Sequence, residues 1–265
     1  MASILYEVRD SVAEITLENP PVNALTEAMV GELLAALQRA REDDRARAVI
    51  LRSSVARRFC AGLDLKVLDG APPARIHSLV EKLYPELVDA QFRLGKPSIA
   101  AVSGAARGGG MTLAISCDLL VAGRSASFGY PEIDVGLLPA IHFTHLPRIV
   151  GRYRAFDLLF TGRTFGADEA MALGLVSRVV DDDRVLDEAR ALAASLVAKS
   201  ATAMRLGRSA FHTANDTGYR QGVAGAVETF SSVALSDDGR EGVNAFANGR
   251  EPAWKTSRKP QGERS

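Results

Sequence analysis

SIAAVSGAARGGGMTLAISC, residues 98–117, sets an apolar run, a glycine cluster and an amphipathic run end to end. Ser98–Val102 reads as a buried strand, since a short apolar run bounded by breakers behaves that way. Gly108, Gly109 and Gly110 then open a helix carried by Met111, Leu113, Ala114 and Cys117. Consecutive glycines at a helix start leave backbone N–H groups bare and admit close approach of a ligand. The turn also lies at the positive end of the helix dipole, which favours a developing negative charge. It reads as an oxyanion-binding turn, and so as part of an enzyme; close helix–strand packing is the other use the same glycines allow.

Competing glycine motifs fit poorly. A phosphate loop needs Lys-Ser or Lys-Thr after its last glycine, where this chain has Met111-Thr112. Gly104, Gly108 and Gly110 have the wrong spacing for a dinucleotide fingerprint, and no acidic residue ends a second strand to hold a ribose. Neither Ser103 nor Ser116 has the flanking glycines of a nucleophile elbow.

Working outward, residues 4–8 and Val12–Glu18 form an expected hairpin, the second strand alternating apolar and polar residues. Asn19-Pro20-Pro21 breaks that pattern, and Thr26 is the expected N-cap of a helix with Met29, Val30, Leu33, Leu34 and Leu37 on one face. A strand at 48–51, a loop at 57–63 and a helical stretch at 67–94, interrupted at 70–73, precede the glycine turn, and a strand at 119–122 follows it. Strands alternating with helices imply crossover units and parallel pairing. Beyond residue 146 the pattern is helical: 146–160, 167–173, a strand at 175–180, then 186–198, 203–214, 219–234 and 240–248. The last three have Ala- and Val-dominated faces, which dock onto another subunit or onto the core of the same chain. The polar residues 256–265 read as a disordered tail.

At 265 residues the chain is long enough to bury a full core. Equal numbers of acidic and basic residues and a pI near 6.9 give no nucleic-acid or membrane footprint. No apolar run reaches the length of a membrane span, and the first ten residues lack a secretory pattern. Two cysteines, Cys60 and Cys117, are too few for a disulfide framework, so a cytoplasmic setting is expected. His142 and His145 share a helix face, but no cysteine or carboxylate set completes a metal site around them.

A second backbone site, FCAGLDLK at 59–66, also stands between a strand and a helix. Two N–H donors converging on one oxygen stabilise an enolate or thioester oxyanion, the electrostatic device that usually contributes most to catalysis. Here the sequence resembles the crotonase, or enoyl-CoA hydratase/isomerase, superfamily. The matching segments are NPPVNAL at 19–25, FCAGLDLK at 59–66, GAARGGG at 104–110, CD at 117–118, FGYPE at 128–132, TGRTFGADEA at 161–170 and LGLV at 173–176. Their ordered series runs from residue 4 to 254.

The resemblance implies an α/β fold, a superhelix of β-β-α turns with a C-terminal α-helical trimerisation region. It divides the chain into a spiral core at 1–198 with the acyl-CoA site, a helical assembly region at 199–255 and the tail. It implies backbone N–H donors at Leu63 and Gly109 and a coenzyme A cradle of Ala61, Leu63, Asp64, Leu65 and Lys66. Lys66 reads equally as a phosphate-facing cation and as a solvated lysine. The implied substrate is an acyl-CoA thioester, with coenzyme A entering only as part of it, no tightly bound cofactor, and a homotrimer or a dimer of trimers as the assembly.

The acids set the expected reaction. Hydratases of this superfamily have one glutamate two residues beyond the glycine triplet and another in the P-E pair; here those positions are Thr112 and Glu132. A hydroxyl titrates too high to act alone as a base near neutral pH, whereas burial tunes a carboxylate upward. Adding water across a double bond calls for two groups; moving the bond from the 3,4 to the 2,3 position needs one. The resemblance therefore favours a single-base enoyl-CoA isomerase with Glu132 as the acid–base residue and Thr112 beside the acyl group. A hydratase tolerating Thr112 and a silent acyl-CoA-binding protein are the alternatives. Asp134 is the rival base. Ala140, His142 and Phe143 replace small residues of the hydratase pattern and are expected to crowd the catalytic water. Dehalogenases and dienoyl isomerases of this fold place an aspartate where this chain has Ala140.

Overall fold

The computed structural model describes residues 3–215 and 218–253; the expected tail at 256–265 lies outside them. Twelve strands are present among these residues: β1 Ser3–Arg9, β2 Val12–Glu18, β3 Ala24–Leu25, β4 Ala48–Ser53, β5 Arg58–Cys60, β6 Gly62–Leu63, β7 Ser98–Val102, β8 Ala105–Arg107, β9 Leu119–Gly123, β10 Ser127–Gly129, β11 Thr164–Gly166 and β12 Arg178–Val180. The larger sheet has the order β1-β2-β4-β7-β9-β12, antiparallel between β1 and β2 and parallel elsewhere. The smaller sheet has the order β11-β10-β8-β5, and β3 pairs with β6. Each turn of the chain gives one strand to the larger sheet and the next to the smaller: β4 then β5, β7 then β8, β9 then β10. This is the expected spiral of β-β-α turns.

The helices are α1 Glu27–Glu42, α2 Pro73–Glu81, α3 Leu87–Arg93, α4 Gly109–Ser116, α5 Ala140–Val150, α6 Arg152–Thr161, α7 Ala167–Ala172, α8 Val185–Val197, α9 Ala201–Asn215, α10 Tyr219–Ala234 and α11 Asp237–Ala247. Thr26 caps α1 as expected, its hydroxyl accepting from the Met29 N–H at 3.2 Å.

Side chains of the larger sheet alternate between two cores, as the two-residue period of a strand requires. Val49, Leu51, Ala100, Val102, Leu120 and Ala122 join the main core under α1–α4. Ala48, Ile50, Ile99, Ala101 and Val121 face the other way and are covered by Val185, Ala189, Leu192 and Ala193 of α8. Both faces of these strands are buried, which explains why 48–51 and 98–102 read as uninterrupted apolar runs.

Three expectations are corrected. The stretch 57–63 is not simply a loop but contains β5 and β6, and the smaller sheet as a whole was not foreseen. Its strands are three residues long, too short for a period to declare itself. The single helix at 146–160 is two helices, broken at Gly151, whose φ of +81° a side chain would rarely adopt. The strand expected at 175–180 is confined to Arg178–Val180.

Candidate active site

Gly108 precedes α4 with φ +49° and ψ −115°, a conformation glycine adopts without penalty. Its N–H donates to the Gly129 carbonyl at 3.1 Å, and Arg107 binds the Ser127 carbonyl at 2.6 Å and its hydroxyl at 2.9 Å. The turn is thereby tied to β10, the strand that leads to Pro131-Glu132. As the first residue of α4, Gly109 has no carbonyl one helical turn earlier to receive its N–H.

The β5–β6 segment lies against this turn. A methyl group on Gly109 would stand 3.3 Å from the Leu63 nitrogen, and one on Gly62 would stand 3.1 Å from the Gly109 nitrogen. Gly110 packs closer still, since a methyl there would meet the Cys60 carbonyl oxygen at 2.3 Å. Only bare backbone permits α4 and β5 to approach so far. Asp64 caps the next 3-10 turn, its carboxylate accepting from the Lys66 N–H at 3.2 Å, and Lys66 is exposed.

Ala61, Leu63, Asp64, Leu65, Lys66, Gly109 and Glu132 all line one cavity of about 550 Å³. Glu132 stands second in a 3-10 turn, Pro131–Val135, and its carboxyl lies against Gly108: a methyl on that glycine would be 2.9 Å from Oε1. The residue is part-exposed, but its carboxyl is enclosed, with Oε2 buried and unpartnered. Burial pushes this carboxyl up to about 7, against a partial offset from its own backbone N–H. Asp134 also lines the cavity but is exposed.

Thr112 is not brought to the cavity wall. It is buried, and its hydroxyl lies 3.3 Å from Nε2 of His142, which is itself fully enclosed. Ala140, His142 and Phe143 likewise do not line the cavity, so the expected crowding does not arise. Ala140 and His142 fill the interior behind it, and Phe143 stacks on Phe160 with ring centroids 5.6 Å apart. Burial drives the His142 ring well below the usual histidine range, with a smaller contribution from His145.

Apart from Asn19, the rest of the wall is largely apolar. Val80, Leu83 and Tyr84 come from α2 and the π-turn Lys82–Glu86, where the Leu87 N–H reaches the Lys82 carbonyl. Pro85 brings no N–H to that turn, and the widened turn accommodates its ring. Pro20, Pro21 and Val22 form another side, held by buried Asn23, whose amide donates to Ser53 Oγ at 2.7 Å and to the Phe59 carbonyl at 3.0 Å. Phe230 of α10 and Phe246 of α11 complete the wall from the C-terminal helices of the same chain. Sequence reasoning missed these two phenylalanines; an aromatic on each otherwise Ala- and Val-rich helix was the available signal.

The paired-sheet spiral is the crotonase fold. A crystal structure of an enoyl-CoA hydratase from Mycobacterium avium subsp. paratuberculosis K-10 superposes with a TM-score of 0.84 at 26% identity, over 95% of this chain and 98% of that one. The enoyl-CoA hydratase/isomerase family model matches residues 7–258. The probable enoyl-CoA hydratase echA8 of Mycobacterium bovis is 36% identical over 95% of this chain and 97% of its own. The human mitochondrial enoyl-CoA hydratase domain-containing protein 2 is 37% identical over 92% and 85%. The chain belongs to the enoyl-CoA hydratase/isomerase family. It is an enzyme of that family, whose substrates are CoA thioesters.

Proposed function

We propose that the chain is a single-base enoyl-CoA isomerase, moving a double bond from the 3,4 to the 2,3 position. The thioester carbonyl sits between the Leu63 and Gly109 N–H groups, and the acyl chain runs along Val80, Leu83, Tyr84 and Phe230. Glu132, as carboxylate, takes a proton from carbon 2; the electron pair moves into a dienolate whose oxygen the two N–H groups stabilise. The same carboxyl then returns the proton at carbon 4. A carboxyl titrating near 7 is matched to both halves of this transfer. The coenzyme A portion rests on Ala61, Asp64, Leu65 and Lys66, and no tightly bound cofactor takes part. We include a cytoplasmic setting and a trimeric or hexameric assembly in the proposal.

The observation that carries the reading is the lone enclosed carboxyl. Among the described residues lining the cavity, Glu132 alone combines a buried carboxylate oxygen with an upward shift, and the hydroxyl at position 112 faces His142 instead. Hydration is the second reading, favoured by the names of the relatives. One experiment separates them: 3-enoyl- and 2-enoyl-CoA of equal chain length, followed by the 2-enoyl thioester chromophore, which isomerisation creates and hydration destroys. Isomerisation is expected to be the faster. Hydration at an equal or greater rate would replace the proposal with the hydratase reading, and binding without turnover of either would support a silent acyl-CoA-binding protein.

A further inference from the structure

The segment KLYPE, residues 82–86, forms the π-turn in which Pro85 brings no N–H and the Leu87 N–H reaches the Lys82 carbonyl. Such widened turns recur at functional sites. Here the turn abuts the glycine turn: a methyl on Gly109 would stand 3.4 Å from Leu83 Cδ2. Tyr84 is the next residue and lines the same cavity as Gly109 and Glu132. Its ring is buried and meets the Phe230 ring edge-on, centroids 6.2 Å apart at 84°, a contact that holds it in one orientation.

The Tyr84 hydroxyl is bonded to no described residue, and it is not sealed in the interior as the unpartnered Tyr130 hydroxyl is. It therefore opens into the cavity, beside Val80, Leu83 and Phe230. The other uncharged polar side chain on the wall, Asn19, already donates to the Ala24 carbonyl at 2.8 Å. A hydrocarbon chain filling the space takes water from the Tyr84 hydroxyl and returns no partner, a loss of about five- to a hundredfold in affinity. A ligand oxygen at that place restores the bond. Burial, with the nearby Glu132 charge, raises the phenol far above the neutral range, so it meets a ligand as a donor and calls for an acceptor. A carboxylate is ill suited, since it would share the cavity with Glu132, and Lys66, the only cation among the described lining residues, is exposed. A hydroxyl or keto oxygen fits.

We infer that the Tyr84 hydroxyl determines substrate choice: it donates to a neutral oxygen on the acyl group, beyond the carbons between which the double bond moves, and selects hydroxy- or keto-acyl-CoA thioesters over plain hydrocarbon ones. This rests on the acyl chain running along Val80, Leu83, Tyr84 and Phe230, and it holds whether the reaction at Glu132 is isomerisation or hydration. The hydroxyl takes no part in the proton transfer.

Calorimetric titration tests this with saturated esters, which do not turn over: hexanoyl-CoA, 5-hydroxy- and 6-hydroxyhexanoyl-CoA, and 5-oxohexanoyl-CoA. The wild type should bind at least one oxygenated ester about tenfold or more tighter than hexanoyl-CoA. Tyr84→Phe keeps the ring and removes the hydroxyl. It should abolish that preference, gaining affinity for hexanoyl-CoA while losing it for the oxygenated ester. Equal binding of all the esters by the wild type, or tighter binding of hexanoyl-CoA, overturns the inference while leaving the cavity as the acyl site. A preference that survives in Tyr84→Phe overturns it too, and if all the esters weaken alike the hydroxyl serves the thioester oxygen instead. Binding of no ester at all would defeat the reading of the cavity itself.

Discussion

Glu132 answers two opposed demands. Water exclusion raises its carboxyl to about 7, where it can both take and return a proton, but the same enclosure penalises its charged form. With the carboxylate as base, turnover should climb with pH through about 7 and level above it, as a single ionisation. Glu132→Gln should still bind the CoA ester yet lose roughly two to four decades of turnover; near-normal turnover, with Asp134→Asn inactive, would move the role to Asp134. The native carboxyl holds its proton more tightly than the unfolded chain, whose value is near 4.5. The stability this confers is therefore complete below 4.5 and lost as pH rises through about 7. Urea denaturation should find Glu132→Gln close to wild type at pH 4 and more stable at pH 8, by up to about 3 kcal/mol. Equal stability at both values would show that solvent reaches the carboxyl.

The glycine turn and α4 form the element that determines whether such a carboxyl meets a substrate at all. A side-chain carbon on Gly110 would collide with the Cys60 backbone, which cannot swing aside as a flexible side chain does. Gly110→Ala should cost about 2–4 kcal/mol or leave the protein unfolded, whereas Gly31→Ala, with nothing within 4 Å in the middle of α1, should stabilise by about 0.5–1 kcal/mol. Paired thermal melts check both. This element was legible because it is spelled locally: an apolar strand, three glycines, an amphipathic run. The β1–β2 hairpin and the Thr26 cap were legible for the same reason. The smaller sheet was not, because β5, β8 and β10 are defined by partners far along the chain, such as Ala105 and Ser127, rather than by any period of their own. The site divided in the same way. Leu63, Gly109 and Glu132 follow from ordered motifs, while the inward hydroxyl of Thr112 depends on His142, thirty residues away, and Phe230 and Phe246 arrive only once the C-terminal helices fold back.

At the scale of the whole molecule, α9 and α10 attach to the core by different means. α10 inserts Val223, Ala226, Val227 and Phe230 into the main core. Among the residues of α9 only Arg208 is buried, and the helix is tied down through Arg208 and His212 to Asp118, the residue before β9, with a further bond from Arg208 to the Phe92 carbonyl. The Asp118 carboxylate accepts from the Ser98 N–H at 2.8 Å, Arg208 Nε at 2.8 Å and His212 Nε2 at 2.7 Å. Burial alone would raise this carboxyl, but the His212 hydrogen bond and the Arg208 charge hold it below the usual carboxylate range. A cleft of about 650 Å³ opens beside this cluster, apart from the glycine turn and Glu132. α9 presents Leu206, 55% exposed, and Phe211, 67%, the latter at the wall of this cleft, while α6 presents Tyr153 at 88% and Phe156 at 61%. Large apolar side chains bared to this degree on two helices are what the proposed assembly would cover. Sedimentation at micromolar concentration should find a trimer or a hexamer, and a strict monomer would contradict that assignment. Asp118→Ala strands the Arg208 guanidinium without its counter-charge, a change that costs about 3–5 kcal/mol when one partner of a buried pair is removed. If α9 carries the association face, the variant should dissociate toward monomer under conditions where it remains folded. A variant still assembled like wild type would show that the contacts between subunits lie on α6 or α10 instead.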